Sequence, residues 1–336
     1  MILLNKNLNL APLIVAEIGV NHEGDFESAL KLLKLAAECG VDVVKFQSYT
    51  AEKYSAADDL ERYKRISKFS LSLDNYYKLY NQAKKLNLGF LSTPLTEDWV
   101  DKLNDMCPAF KIASGDITFK PVIQKAAQTG KPILLSTGAA TIEEIDRAVS
   151  WIKTEIGEVA LRDRLILMHC VASYPAPFNQ ANLLSIPYLK ERYNVFVGYS
   201  NHVVEPEVSI AAVALGASVV EVHFTDSKEG RVFRDHQLSF TPEEMKNFVK
   251  QAKIVFASRG EFNKIVQPCE EGSIQAIRKG IIAVKDIPSG KKLSKDDLGF
   301  ARPAHEFSSN DLSNLIGKKV INSVSKGYLI RKSNII

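Results

Sequence analysis

The chain lacks most of the marks that would assign it to a specialised protein class. Its four cysteines, Cys39, Cys107, Cys170 and Cys269, are widely spaced and include no CxxC pair, so they read as reduced thiols of a cytoplasmic protein. No apolar run approaches the roughly 18 residues of a membrane span. The N-terminus lacks the basic-then-apolar layout of a signal peptide. An excess of one charge is missing too: 43 Lys+Arg against 39 Asp+Glu leave +4, too mild to imply nucleic acid. There is no internal repeat, low-complexity tract or long charge run. A nucleotide-type glycine fingerprint is also absent, because Gly19-Val20-Asn21-His22-Glu23-Gly24 has the wrong spacing. The expectation is an intracellular, soluble chain of 336 residues with 46% hydrophobic content. That length suits one large domain of roughly 250 residues and a small one.

Short β-rich apolar runs alternate with helical patterns, the signature of repeated βα units. Eight such runs are present: Leu13 to Ile18, Val43 to Gln47, Leu88 to Ser92, Ala109 to Ala113, Pro132 to Thr137, Leu165 to Cys170, Val195 to Tyr199 and Ser218 to Phe224. Eight closes a (β/α)8 TIM barrel, the expected α/β fold; a doubly wound open sheet is the alternative. Amphipathic stretches at Phe26 to Cys39, Leu73 to Leu86 and Ile142 to Ile152 are long enough to be crossover helices. The pattern breaks into a polar segment after Arg259. The predicted organisation is a barrel over 1–259, a linker over 260–275 and a compact β-rich module over 276–336. So small a module has a meagre core and needs a surface to pack on.

In a barrel, chemistry gathers at the C-terminal ends of the strands. Of six histidines, His202 and His223 each follow an apolar run, and neighbouring strand ends would hold both around one divalent metal with positions left open for substrate. The plainer reading makes each a hydrogen-bonded group near the core. Lys45 and Lys111 lie inside apolar strands, where an unpaired ammonium is costly. They call for an anion, and hydroxyls at Thr93, Ser114, Ser136 and Ser200 complete a set suited to a phosphate and a carboxylate together. A Schiff-base lysine or purely structural salt bridges are the alternatives. Glu17 ends the first strand and Asp235 precedes His236, giving two carboxylates able to move protons near a metal; pairing of Glu17 with Lys45 or Lys111 is the structural alternative.

The ordered set Ala16-Glu17-Ile18-Gly19-Val20-Asn21-His22, Lys45-Phe46-Gln47, Ser92-Thr93-Pro94, Lys111-Ile112-Ala113-Ser114-Gly115-Asp116, Ser136-Thr137-Gly138, Tyr174-Pro175, Ser200-Asn201-His202, His223-Phe224-Thr225 and Asp235-His236 closely resembles the sialic acid synthase family, from about residue 10 onward. The last segment, with Arg302-Pro303 and Phe307-Ser308, looks like that family's antifreeze-like (SAF) domain. The resemblance implies condensation of phosphoenolpyruvate (PEP) with an N-acetylated hexose, N-acetylmannosamine in the best-known members, to give N-acetylneuraminate and phosphate. It implies a Mn²⁺-type metal, with Mg²⁺ or Co²⁺ as alternatives, on His202 and His223. It places PEP on Lys45, Thr93, Lys111, Ser114, Ser136 and Ser200, and the sugar on Gln47, Asp116, Tyr174, Asp235 and Arg302. It further implies a homodimer in which Arg302 reaches from the SAF domain into the partner's barrel.

Departures from the family pattern cluster where the sugar would lie. Ala172 stands where some members have Asn, Asp116 replaces a frequent Glu, Phe119 a common Asn, Val222 a usual Lys, and Phe233-Arg234 a Gly-Pro pair. The 2,4-diacetamido-2,4,6-trideoxymannose used for legionaminate therefore stays open as a substrate. The pseudaminate branch fits less well, since its first motif usually has Leu-Ser at Ile18-Gly19. A metal-free aldolase and a non-catalytic carbohydrate-binding protein are the readings from other classes.

Overall fold

The computed structural model describes residues 1–336, which separate into two compact units, Met1–Gly260 and Glu261–Ile336. In the first, eight strands follow one another: β1 (Leu13–Gly19), β2 (Val43–Ser48), β3 (Gly89–Pro94), β4 (Phe110–Ile112), β5 (Ile133–Ser136), β6 (Leu165–His169), β7 (Phe196–Asn201) and β8 (Val219–His223). Every hydrogen-bonded pair is parallel, in the order β3-β2-β1-β8-β7-β6-β5-β4, and β3 and β4 run side by side to close the cylinder. A doubly wound sheet would leave two open edges; here the sequence forms a (β/α)8 barrel.

The period of two along each strand sorts residues between two cores. Ile14, Ala16, Val44, Phe46, Val220 and Val222 face outward and pack with the helices. The alternate positions Leu13, Val15, Val43, Leu91, Ala109, Leu134, Met168 and Val219 form a separate cluster that fills the barrel floor. Gly198 sits in this crowded lumen: a Cβ there would fall 2.4 Å from Met168 Sδ and 2.7 Å from the Val219 carbonyl oxygen. A short ribbon, Ile2–Leu3 paired with Lys6–Asn7, adds Leu3 and Leu8 to the floor cluster. Strands this short leave no periodic signal in the sequence.

The crossover helices carry readable start signals. Asp25 caps Phe26–Glu38, whose Ala29, Leu32, Leu33 and Ala36 make the i, i+3, i+4, i+7 buried stripe. Capping boxes at Thr141/Glu144 and Thr241/Glu244 open Ile142–Ile156 and Pro242–Ser258. Between β2 and its crossover helix the chain makes an excursion through two further helices, Ala51–Tyr54 and Leu60–Phe69.

The second unit pairs Gly280–Ala283 with Leu298–Ala301 antiparallel, around a small core that includes Ile281, Ile287, Leu293, Leu315 and Val320. Buried Asp297 holds its turns together, accepting from Ser294 N at 2.9 Å and from Lys291 Nζ at 2.6 Å. Much of the remaining pairing is by isolated bridges. The segment expected as a plain linker contains a short helix, Pro268–Glu271, and the start of another, Ile274–Ile277.

Candidate active site

Continuing each lumen-facing register upward from the apolar floor exchanges hydrocarbon for chemistry. Val15 is followed by Glu17, Val43 by Lys45 and Gln47, Leu91 by Thr93, Ala109 by Lys111, Leu134 by Ser136, and Val219 by Glu221 and His223. Ser200 and His202 take the same places on β7 and just after it. All of them line one cavity of about 570 Å³ at the C-terminal end of the barrel, together with Ser114, Asp116, Tyr174 and Asp235. Arg302 belongs to the other unit, directly after its Leu298–Ala301 strand.

Four charges sit at the base of this cavity. Lys45 Nζ lies 2.6 Å from Glu17 Oε2 and 3.7 Å from Glu221 Oε2, and donates to Thr93 Oγ1 at 3.0 Å. Lys111 Nζ donates to Glu221 Oε1 at 3.0 Å, and Ser200 Oγ donates to the same oxygen at 2.9 Å. Gln47 Nε2 donates to Glu17 Oε1 at 3.0 Å. The quartet is deeply buried, with exposures of 2% for Glu17 and Lys45, 4% for Lys111 and 3% for Glu221. Burial by itself would push Glu221 up, but Lys111 and Lys45 hold its carboxyl below the ordinary range. Burial likewise works against the Lys45 ammonium, and Glu17 and Glu221 more than offset it, leaving its pKa raised. Two cations and two anions thus balance inside a low-dielectric pocket.

Glu221 is the member of this group that the sequence reading missed. The signal is present: it occupies the same alternation as Val219 and His223, and is a carboxylate inside an otherwise apolar strand. Lys53, Tyr54 and Arg62, from the excursion after β2, also line the cavity. Nothing in their local sequence points there, because tertiary folding alone brings them to it.

The two histidines face each other with ring centroids 5.5 Å apart. His202 Nδ1 donates to the Val171 carbonyl at 2.6 Å, which fixes the tautomer and leaves the Nε2 lone pair available. Burial chiefly, and the neighbouring His223, lower the His202 pKa to about 3, so the ring is neutral. His223 Nδ1 is buried without a hydrogen-bond partner, as are Ser136 Oγ and Asp116 Oδ2. Burial raises the Asp116 carboxyl to about 6. Buried polar atoms left unsatisfied are costly, so this cluster is built to meet a polar ligand. The Tyr174 ring stacks 4.1 Å from His202, and the Arg234 guanidinium lies 4.8 Å over Tyr174. Arg234 Nε is 3.3 Å from Asp235 Oδ1. The donor set fits a divalent metal held by the two imidazoles; no group of three or more His, Cys, Asp or Glu is arranged to hold one.

At Gly138 a Cβ would stand 2.6 Å from Cys170 Sγ and 2.8 Å from Ser114 Oγ, so only glycine lets this backbone approach. The Gly138 N–H donates to Ser114 Oγ at 3.1 Å.

Comparison with known proteins identifies the family to which this chain belongs. The NeuB family model matches residues 32–264 and the SAF domain model matches 278–336. An N,N'-diacetyllegionaminic acid synthase from Campylobacter jejuni is 38% identical over 95% of this chain and 99% of its own. An N-acetylneuraminate-9-phosphate synthase from Mus musculus is 30% identical over 96% of this chain and 92% of its own. The crystal structure of an N-acetylneuraminic acid synthetase from Leptospira borgpetersenii is 31% identical, with a TM-score of 0.74, over 79% of this chain and 91% of that one. A barrel carrying this lysine–carboxylate–histidine cavity, matched along nearly its whole length by such synthases, belongs to the NeuB family of sialic acid-type nonulosonate synthases.

Proposed function

We propose that the protein condenses PEP with the open-chain aldehyde of an N-acetylated hexose and water, releasing phosphate and a nonulosonate, with N-acetylmannosamine giving N-acetylneuraminate. The observation that carries this is the pair of buried lysines among the hydroxyls of Thr93, Ser114, Ser136 and Ser200 in one cavity with two imidazoles. PEP brings both a phosphate and a carboxylate to the ammonium groups of Lys45 and Lys111. A metal, Mn²⁺ first, with Mg²⁺ or Co²⁺ able to replace it, would sit on His202 and His223 and supply Lewis-acid polarisation of the aldehyde oxygen when bound.

C3 of PEP forms the new carbon–carbon bond to the aldehyde carbon, whose oxygen takes a proton to become a hydroxyl. The cationic C2 left behind captures water, and loss of one water proton gives a tetrahedral intermediate. Breaking its C–O bond expels phosphate and leaves the 2-keto acid. Glu17, beside Lys45 and Gln47, and Asp235, beside Arg234, are the groups assigned to proton movement and to orienting the sugar. Asp116, Tyr174 and Gln47 complete the sugar's walls, and Arg302 would enter from a partner's SAF domain in a homodimer.

A barrel ending near residue 259 and a SAF module starting near 276 accord with the two family matches. The four cysteines are all free, which accords with a reducing cytoplasm. No helix is long and apolar enough to cross a membrane. A second reading, condensation with 2,4-diacetamido-2,4,6-trideoxymannose, is favoured by the 38% identity to a diacetyllegionaminic acid synthase. Phosphate release by metal-reconstituted protein, with PEP and each sugar in turn and product mass read in parallel, tests both. Turnover with either sugar supports the condensation and identifies the acceptor, whereas PEP left intact with both refutes these two readings.

A further inference from the structure

Strand β6 alone brings neither a charge nor a hydroxyl to the lumen. Its inward register runs Ile166, Met168 and then Cys170, so a thiol stands where the neighbouring strands present Ser136 and Ser200. Cys170 is 5% exposed and does not itself line the reaction cavity, yet its Sγ lies 3.0 Å from the Oγ of Ser114, which does. The next residue already serves the site, since the Val171 carbonyl accepts from His202 Nδ1 and sets that ring's tautomer. Packing alone accounts for a small buried side chain at Cys170, but not for the polar contact it makes.

A serine oxygen has two lone pairs to fill and one proton to place. At Ser114 the Gly138 N–H fills one lone pair from 3.1 Å. That approach depends on glycine, whose added Cβ would stand 2.6 Å from Cys170 Sγ and 2.8 Å from Ser114 Oγ. Along the 3.0 Å contact with Cys170, either group can donate. Sulfur is a weak acceptor, and a Ser114 proton directed at it is lost to the cavity. With the thiol as donor, both lone pairs are filled and the hydroxyl proton is free. Burial pushes the Cys170 thiol up, so it keeps the proton that this direction needs. Ser136 Oγ, in the same cavity, is buried with no partner, so a second hydroxyl there also awaits a polar ligand.

We propose that Cys170 is a positioning residue of the anion site: its S–H donates to Ser114 Oγ and, with the Gly138 N–H, fills both lone pairs of that oxygen, so that the Ser114 O–H is directed to an oxygen of bound PEP. The inference rests on the placement of PEP at Ser114 and sharpens it by assigning the direction of the hydroxyl. A hydroxyl aimed in advance at an anion forms a charge-assisted bond without first breaking another. A thiol that only fills space would affect stability and leave PEP affinity alone.

Calorimetric titration of the metal-reconstituted protein with PEP, in a double-mutant cycle of Cys170→Ala and Ser114→Ala, separates the two roles. Cys170→Ala should weaken PEP binding about 3- to 10-fold, the span for loss of one neutral hydrogen bond. Cys170→Ser keeps a donor and should recover part of that affinity. In the Ser114→Ala background, Cys170→Ala should change PEP affinity by less than about twofold, because the group it directs is gone. If Cys170→Ala does not fold, Cys170→Val, which fills the space without a donor, takes its place in the cycle. An affinity unchanged by Cys170→Ala, or the same loss in both backgrounds, overturns the inference and leaves PEP on Ser114. Parent affinity in Ser114→Ala overturns the placement of PEP there and the inference with it. A cycle as expected, with PEP left intact by every sugar, upholds the role of Cys170 and counts against the condensation alone.

Discussion

Replacing Glu221 by Gln removes one of four balanced charges while keeping the shape of the side chain. Lys45 retains Glu17 at 2.6 Å, but Lys111 loses the carboxylate 3.0 Å away that balances it. Breaking a buried pair by removing one partner typically costs about 3–5 kcal/mol, because the orphaned charge stays desolvated. At about 2–4 °C per kcal/mol for a unit of this size, the melting temperature of Glu221→Gln should fall by roughly 6–20 °C. Two controls separate this cause from general disruption. Lys111→Met/Glu221→Met removes both charges and should lie within about 2 kcal/mol of the parent, since an apolar replacement of a buried pair is often neutral. Added PEP should narrow the gap between parent and Glu221→Gln, because the anion supplies the charge that the variant lacks. Thermal and denaturant unfolding followed by circular dichroism, with and without PEP, measure all three. A loss under about 1 kcal/mol for Glu221→Gln, or a double variant as unstable as the sum of its singles, would refute the charge-balance reasoning.

Gly198→Ala should cost about 1–3 kcal/mol by overpacking, since the 2.7 Å contact with the Val219 carbonyl cannot be relieved by a rotamer change; equilibrium unfolding checks it. Thr241→Ala, which removes the cap of Pro242–Ser258, should cost about 0.5–2 kcal/mol by the same measurement, and its Ser replacement should not. Asp226, buried in part and bonded to Lys31 and Arg231 at 2.7 Å each, has its carboxyl lowered to about 2 by those partners. The unfolded chain therefore binds more protons between roughly pH 4 and 2, and this contribution, full above the unfolded value, is lost as pH falls through that window. Asp226→Asn should flatten the acid limb of a stability–pH curve there and leave the neutral region sloped as before. Lys111→Ala should raise the PEP concentration needed for half-saturation sharply more than that of the sugar, as steady-state kinetics would report.

The barrel is legible in the sequence because every strand except β6 repeats one statement: apolar on both faces at its start, polar on the lumen face at its end. That is why Glu17, Lys45, Thr93, Lys111, Ser136, Ser200, His202 and His223 can be picked out by position alone. The pairings among them are not legible. Lys111 and Glu221 are 110 residues apart, and the closeness of β4 to β8 across the lumen follows only from closure of the cylinder. The lysines read as calling for an anion are held by carboxylates in this structure, one of them Glu221, which its lumen alternation with Val219 and His223 marks. The excursion helix Leu60–Phe69 reads locally as a solvated basic helix; its role as a cavity wall depends on where β2 delivers it.

The central claim is a condensation in which PEP breaks at its C–O bond. PEP labelled with ¹⁸O in the bridging oxygen, turned over with the accepted N-acetylated sugar, tests it most directly by mass spectrometry of the products. Attack of water at C2 predicts that the label leaves in the inorganic phosphate while an unlabelled water oxygen appears at C2 of the nonulosonate. Label retained in the organic product, with unlabelled phosphate, would mean P–O cleavage and would contradict the account.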